Sequence, residues 1–167
     1  MLTVYRIFTF LLLPMAAIYS IFAMIFITSA FANPTMLLPM FIMICVVIYS
    51  FASANFLFMV INRGKFLGKS AKDWLRINAF ISSFYAVMMI AQCIFLIKKP
   101  EMLTELTNTA MQRGGSDIKI PQATLLHYFV IMLYVFLVHG IILFIHVGLT
   151  LGYMKTYKKL FEETTHS

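Results

Sequence analysis

Asn62-Arg63-Gly64-Lys65-Phe66-Leu67-Gly68-Lys69-Ser70-Ala71-Lys72-Asp73-Trp74-Leu75-Arg76 sets the cations Arg63, Lys65, Lys69, Lys72 and Arg76 against the single acid Asp73. Long apolar runs flank it on both sides, which places the segment in water at a membrane surface. Short basic loops resist translocation, so it belongs on the cytoplasmic side. Inside and outside along the rest of the chain follow from that assignment. Anionic lipid heads of the inner leaflet are the expected partners of these five side chains.

The flanking runs are too apolar for a fold exposed to water. Of 167 residues, 62% are hydrophobic and 11% charged, and mean hydropathy is +0.91. Soluble domains average about 45–50% apolar and about 25% charged, so the excess needs lipid to cover it. The formal net charge of +7 does not point to nucleic acid. Its cations gather at the ends of apolar runs rather than along an element that could read a groove. Cys45 and Cys93 fall inside such runs, where a thiol serves as a small hydrophobe and implies no disulfide framework.

Four runs, near residues 7–31, 36–61, 75–97 and 124–153, each reach the roughly 20 residues a bilayer requires. They lack the alternation of barrel strands and are therefore helices. The expected fold is an all-α integral membrane protein, one domain over residues 1–167, built as an antiparallel four-helix transmembrane bundle. Arg6, a long apolar core and Ala30-Phe31-Ala32 share some features with a cleavable signal. The core exceeds the usual length of about 7–15 residues, and Phe8, Phe22 and Phe26 suit a permanent span.

Asn33-Pro34-Thr35 makes a tight turn into helix 2. Beyond the inner loop 62–74, Ser70-x-x-Asp73 has the form of a capping box opening helix 3, with Trp74 at the interface. In the outer loop 98–123, Pro100 suits a first helical position, and Met102, Leu103, Leu106 and Ala110 recur at helical spacing. A short amphipathic surface helix is expected there, then irregular chain from Gly114-Gly115. Pro121 can open the last span at its first position. The inner tail 154–167 carries Lys155, Lys158 and Lys159 before a frayed acidic end. With both termini inside, nine cations lie on the inner side and four, Lys98, Lys99, Arg113 and Lys119, on the outer. That excess supports an N-in, C-in protein of the cell (inner or plasma) membrane.

Polar residues inside the spans fall on stripes. Asn78, Ser82, Tyr85, Met89 and Gln92 share one face of helix 3. Tyr128, His139, His146, Thr150 and Tyr153 share one of helix 4. Asn55 and Asn62 are seven apart, as are Thr9, Ala16, Ala23 and Ala30. A seven-residue repeat keeps one stripe toward its partners in a left-handed bundle. At about 1.5 Å per residue, Asn55, Ser82 and His146 reach similar depths. An inner cluster of those three is expected, with Tyr85 meeting His139 at mid-membrane. Gly148-Leu149-Thr150-Leu151-Gly152 is a small-xxx-small pattern nearly opposite the histidines. It serves either close packing within the bundle or a docking face for another subunit or a second copy.

Candidate chemistry is sparse. His139 and His146 lie about 10 Å apart along one helix, too far to share a metal ion, whose nitrogens sit at about 2 Å. A bis-histidine haem b would need a partner histidine on another helix, and no other span has one. No carboxylate lies in any span to serve an ion relay. Gly64-Lys65-Phe66-Leu67-Gly68-Lys69-Ser70 has three residues between its glycines where a P-loop needs four, and no strand precedes it. No cofactor and no catalytic constellation are therefore expected. Elimination leaves a non-enzymatic accessory or assembly subunit docking another membrane protein. The second reading is a redox or quinol-associated subunit using His139 and His146 in an oligomer.

Overall fold

The computed structural model describes residues 1–113 and 120–161, apart from the side chains of 26, 28–32, 34 and 113. Its helices are α1 (Leu2–Ala32), α2 (Leu37–Asn55), α3 (Gly68–Lys98), α4 (Pro100–Arg113) and α5 (Gln122–Thr156). Among the described residues there is no strand. A 3₁₀ turn at Pro34–Met36 leads into α2, and a π-helical turn over Phe56–Ile61 extends it. The expected tight turn is built by Asn33, whose Oδ1 accepts from the Thr35 hydroxyl at 2.8 Å and whose carbonyl accepts from Met36 N–H at 3.0 Å.

Among the described residues, Leu2–Ile25, Leu37–Ile61, Gly68–Lys98 and Gln122–Thr156 are long and apolar enough to cross a membrane. Only 17% to 33% of their most apolar windows is buried within the protein. The remaining apolar surface is far more than a soluble monomer exposes, and lipid is the solvent that can cover it. Helix is the form such segments must take, because each peptide group then finds its hydrogen bond inside its own segment.

The burial pattern shows how the helices face one another. In α1 the buried residues are Tyr5, Thr9, Leu12, Ala16, Tyr19 and Ala23, in steps of four and three. Val46, Ser50, Ser53, Leu57 and Val60 repeat that stepping in α2 and its π-helical extension. Leu75, Ala79, Ser82, Ala86, Met89 and Cys93 do so in α3, as do His139, Leu143, His146 and Thr150 in α5. Alternating steps of four and three are the seam of left-handed helix packing. Thr9, Ala16 and Ala23 of the helix 1 stripe lie on the α1 seam, whereas Asn55 and Asn62 of the helix 2 stripe are exposed and lie off theirs. Gln92 and Tyr128, both placed on stripes, are exposed.

The chain divides into two compact units, Met1–Tyr85 with Ile142–Ser167, and Ala86–Ile141. In the first, the basic segments gather at one end. Arg6 Nη2 donates to Asn62 Oδ1 at 2.7 Å, and Leu67 N–H donates to the Leu160 carbonyl at 3.2 Å. Phe161 is fully buried, stacked on Phe56 at 5.5 Å, with Lys72 Nζ 5.9 Å from its ring centroid. The tail is thus docked as far as Phe161. The rest of the expected frayed end, like Gly114-Gly115 and Lys119, lies outside the described residues.

The same end corrects the capping-box expectation. Helix α3 opens at Gly68, so Ser70 stands inside its first turn rather than at its cap. Gly64 and Gly68 hold φ of +62° and +72°, with nothing within 4 Å of a Cβ at either site. Backbone conformation, not crowding, therefore explains both glycines. Gly64→Ala and Gly68→Ala should each cost about 1 kcal/mol, the strain of an L side chain in left-handed backbone. Unfolding in detergent measures it, and an unchanged midpoint for both would refute the reading.

In the second unit, α4 occupies the expected outer-loop segment and begins at Pro100. Its buried residues are Leu103 and Thr107, whereas Met102 and Leu106 of the expected apolar stripe are exposed. Gln122 Nε2 donates to Asn108 Oδ1 at 2.6 Å, tying the start of α5 to α4. Here α3 and α5 pack tightly: a Cβ on Gly140 would stand 3.5 Å from the Ala86 carbonyl oxygen and 2.9 Å from Ile90 Cγ1. Pro121 precedes α5 and accepts from Thr124 and Leu125 N–H through its carbonyl, so the helix opens one residue later than expected.

Candidate functional site

The polar centre of the first unit forms where the seams of α1, α2 and α5 meet. Tyr5 and Thr9 stand one turn apart on α1. Tyr49 and Ser53 hold the same spacing on α2, and His146 and Thr150 on α5. Four residues is one helical turn, so each pair presents two polar groups on one face. All six are buried, and Tyr5, Tyr49, Ser53, His146 and Thr150 are 0% exposed.

His146 is held on every side. Its Nε2 lies 2.9 Å from Thr9 Oγ1 and its Nδ1 lies 2.8 Å from Tyr49 Oη. The Tyr5 ring stacks on the imidazole at 4.7 Å and 4°, while the Tyr49 ring meets it edge-on at 5.7 Å. Thr9 Oγ1 also meets the Tyr5 carbonyl at 2.8 Å. Tyr49 Oη stands 2.8 Å from both His146 Nδ1 and Thr150 Oγ1, so the imidazole and the hydroxyls form one connected network. Thr150 Oγ1–H donates to the His146 carbonyl at 2.9 Å. Tyr5 O–H closes the set on the Ser53 carbonyl at 3.4 Å. Each of the six side chains has a hydrogen-bond partner there, which is what lipid demands of buried polar groups.

This centre differs from the expected inner cluster. His146 is at its heart, but Asn55 is exposed and lies off the α2 seam. Ser82 is fully buried, and its Oγ has no hydrogen-bond partner among the described residues. The partners of His146 are hydroxyls from α1 and α2. Tyr85, in the first unit, packs edge-on to Tyr19 with centroids 6.4 Å apart. His139 is buried in the second unit. Gly148 and Gly152 are exposed, and a Cβ at either meets nothing within 4 Å. Of the five loop cations, Arg63, Lys65, Lys69 and Arg76 are exposed and Lys72 is half-buried.

Tyr5, Tyr49 and Thr150 acquired roles that the sequence reading did not assign. Tyr5 lies before the expected first span, and in sequence Tyr49 is one aromatic among many. The signal was the full four-and-three stepping, which puts Tyr5 and Thr9 on one seam.

The arrangement is poorly suited to haem. Both nitrogens of His146 are engaged and one ring face is covered, so an iron would have to displace Thr9 or Tyr49. Among the described residues, no three His, Cys, Asp or Glu side chains gather as a metal site. What the geometry does is lock three helices in register. The class these helices and this centre define is a multi-span helical membrane protein. No family model, curated protein or solved structure matches the chain.

Proposed function

We propose that the protein is a non-enzymatic accessory or assembly subunit, N-in and C-in, that docks another membrane protein along the Gly148/Gly152 face of α5. One observation carries the reading. Glycine inside a helix is destabilising by about 1 kcal/mol relative to alanine. Gly140 answers that cost with close packing, but Gly148 and Gly152 have open space where a side chain would be. Small residues four apart let the backbone of a second helix approach, which is how transmembrane helices associate without a hydrophobic drive between them. The histidine centre supports the same role, since it fixes register rather than offering a reactive group. The redox reading with haem b finds no support in the way His146 is held.

Purification of the full chain from membranes in mild detergent, with identification of what accompanies it, tests the proposal. A stoichiometric membrane protein that crosslinks to residues flanking Gly148 is the expected result. A clean monomer at native expression level would count against it.

A further inference from the structure

Helix α3 enters its membrane-crossing stretch at Gly68, so each later residue lies about 1.5 Å deeper than the one before. Along one side of it the order inward is Asp73, Arg76, then Ile77, Phe80 and Ile81, and these line a groove of about 700 Å³. A second hollow, of about 660 Å³, lies between α2 and α3. Phe41, Ile44 and Ile48 of α2 are on its apolar wall, and Lys69 and Asp73 of α3 are on its polar rim. The two hollows share Asp73, Ile77 and Ile81. One carboxylate therefore stands above an isoleucine ridge with an apolar channel on either side. Asp73, Arg76, Ile77 and Phe80 are all exposed. An exposed pairing of Asp73 with Arg76 along the helix is worth little, so both charges are available to a ligand.

We propose that these two hollows hold the two acyl chains of one zwitterionic phospholipid whose head ends in a primary ammonium. From water inward such a lipid presents an ammonium, a phosphate and two hydrocarbon chains. The protein presents a carboxylate, a guanidinium and two apolar channels in the same order. The ammonium donates to Asp73, the Arg76 fork meets the phosphate oxygens, and Ile77 and Ile81 part the chains. The cations around this segment draw anionic lipid to the surface in general, and Asp73 is what makes this position different. A head without a cation leaves that carboxylate unmatched, and a choline head brings the charge without an N–H to donate. The site goes beyond the docking role: it needs neither Gly148 nor Gly152 and stands whether or not a protein docks there.

The test uses the full chain in mild detergent, with lipid retention read by native mass spectrometry. The probes are phosphatidylethanolamine, phosphatidylcholine and phosphatidylglycerol with matched chains. One molecule of the ethanolamine lipid should be retained in preference to the other two. Asp73→Asn should weaken its retention by up to about fivefold, the upper range for an exposed charge pair, and leave the glycerol lipid no weaker. Asp73→Glu, which keeps the charge, should keep the preference. Arg76→Gln should weaken all three lipids about fivefold, because the phosphate is common to them. Arg63→Gln, outside the described linings of both hollows, should leave the order of the three unchanged. The one-chain lyso form of the ethanolamine lipid should be retained about tenfold less, the equivalent of fewer than two methylenes kept from water. Equal retention of the three lipids by the unaltered chain, which requires no variant to fold, would overturn the proposal. So would a preference for ethanolamine that survives Asp73→Asn. Displacement of the lipid by phosphoethanolamine at equal concentration would overturn it too, since the chains would then contribute nothing.

Discussion

His146→Ala should lower the free energy of unfolding by about 3 kcal/mol, the low end of what deleting a buried ring costs. The variant removes a stacked imidazole and leaves a void beneath Tyr5. It also removes a hydrogen-bond partner from each of Tyr49 and Thr9. His146→Phe separates those effects. It keeps a ring under Tyr5 and deletes both hydrogen bonds, so its cost should fall to about 1–2 kcal/mol. Tyr49→Phe should cost less again, near the average of about 0.6 kcal/mol for one interhelical bond in a membrane protein. The order Ala, Phe, then Tyr49→Phe is the informative result, because it ranks packing above polarity at this centre. Unfolding by denaturant in bicelles measures it. If His146→Phe proved as stable as the unaltered chain, the imidazole would have no structural role at this position.

That centre also marks the limit of what was legible beforehand. Hydropathy gives span number directly, because lipid admits little besides helix. Choice of stripe was nearly as readable, since Thr9, Ala16 and Ala23 do lie on the buried seam of α1. Partner choice was not. Depth arithmetic puts Asn55 level with His146, and both are polar, so depth alone pairs them. Depth says nothing of azimuth, and Asn55 lies off the seam formed by Val46, Ser50, Ser53, Leu57 and Val60. The π-helical turn at Phe56–Ile61, where Asn62 N–H reaches back to the Leu57 carbonyl at 3.0 Å, has no sequence signature to read. Hydroxyl groups hid in the same way. A tyrosine in an apolar run reads as bulk until a neighbour on another helix uses its oxygen.

Glycines offer the second large effect, and here two sites on one helix should behave in opposite ways. Gly140→Leu should cost about 3 kcal/mol, at the upper end of ordinary overpacking. Its first carbon would already press on Ile90 and Met89, and the rest would have to wedge α5 away from the Ala86 backbone. Gly140→Ala is a gentler probe. Ile90 Cγ1 and Met89 Cε are side-chain atoms that can yield, and the gain of up to about 1 kcal/mol in helix propensity offsets the crowding. Its net effect should lie near zero. Gly148→Leu and Gly152→Leu, which enter open space, should each stabilise the isolated chain by about 0.8 kcal/mol through propensity alone. The same two changes should abolish capture of the docked protein, because a leucine at either position holds a partner backbone away. Stability rising while association is lost separates an interface from a packing site. If both leucine variants destabilised the purified chain as Gly140→Leu does, that face would belong to the protein's own interior, and the docking role would fail with it.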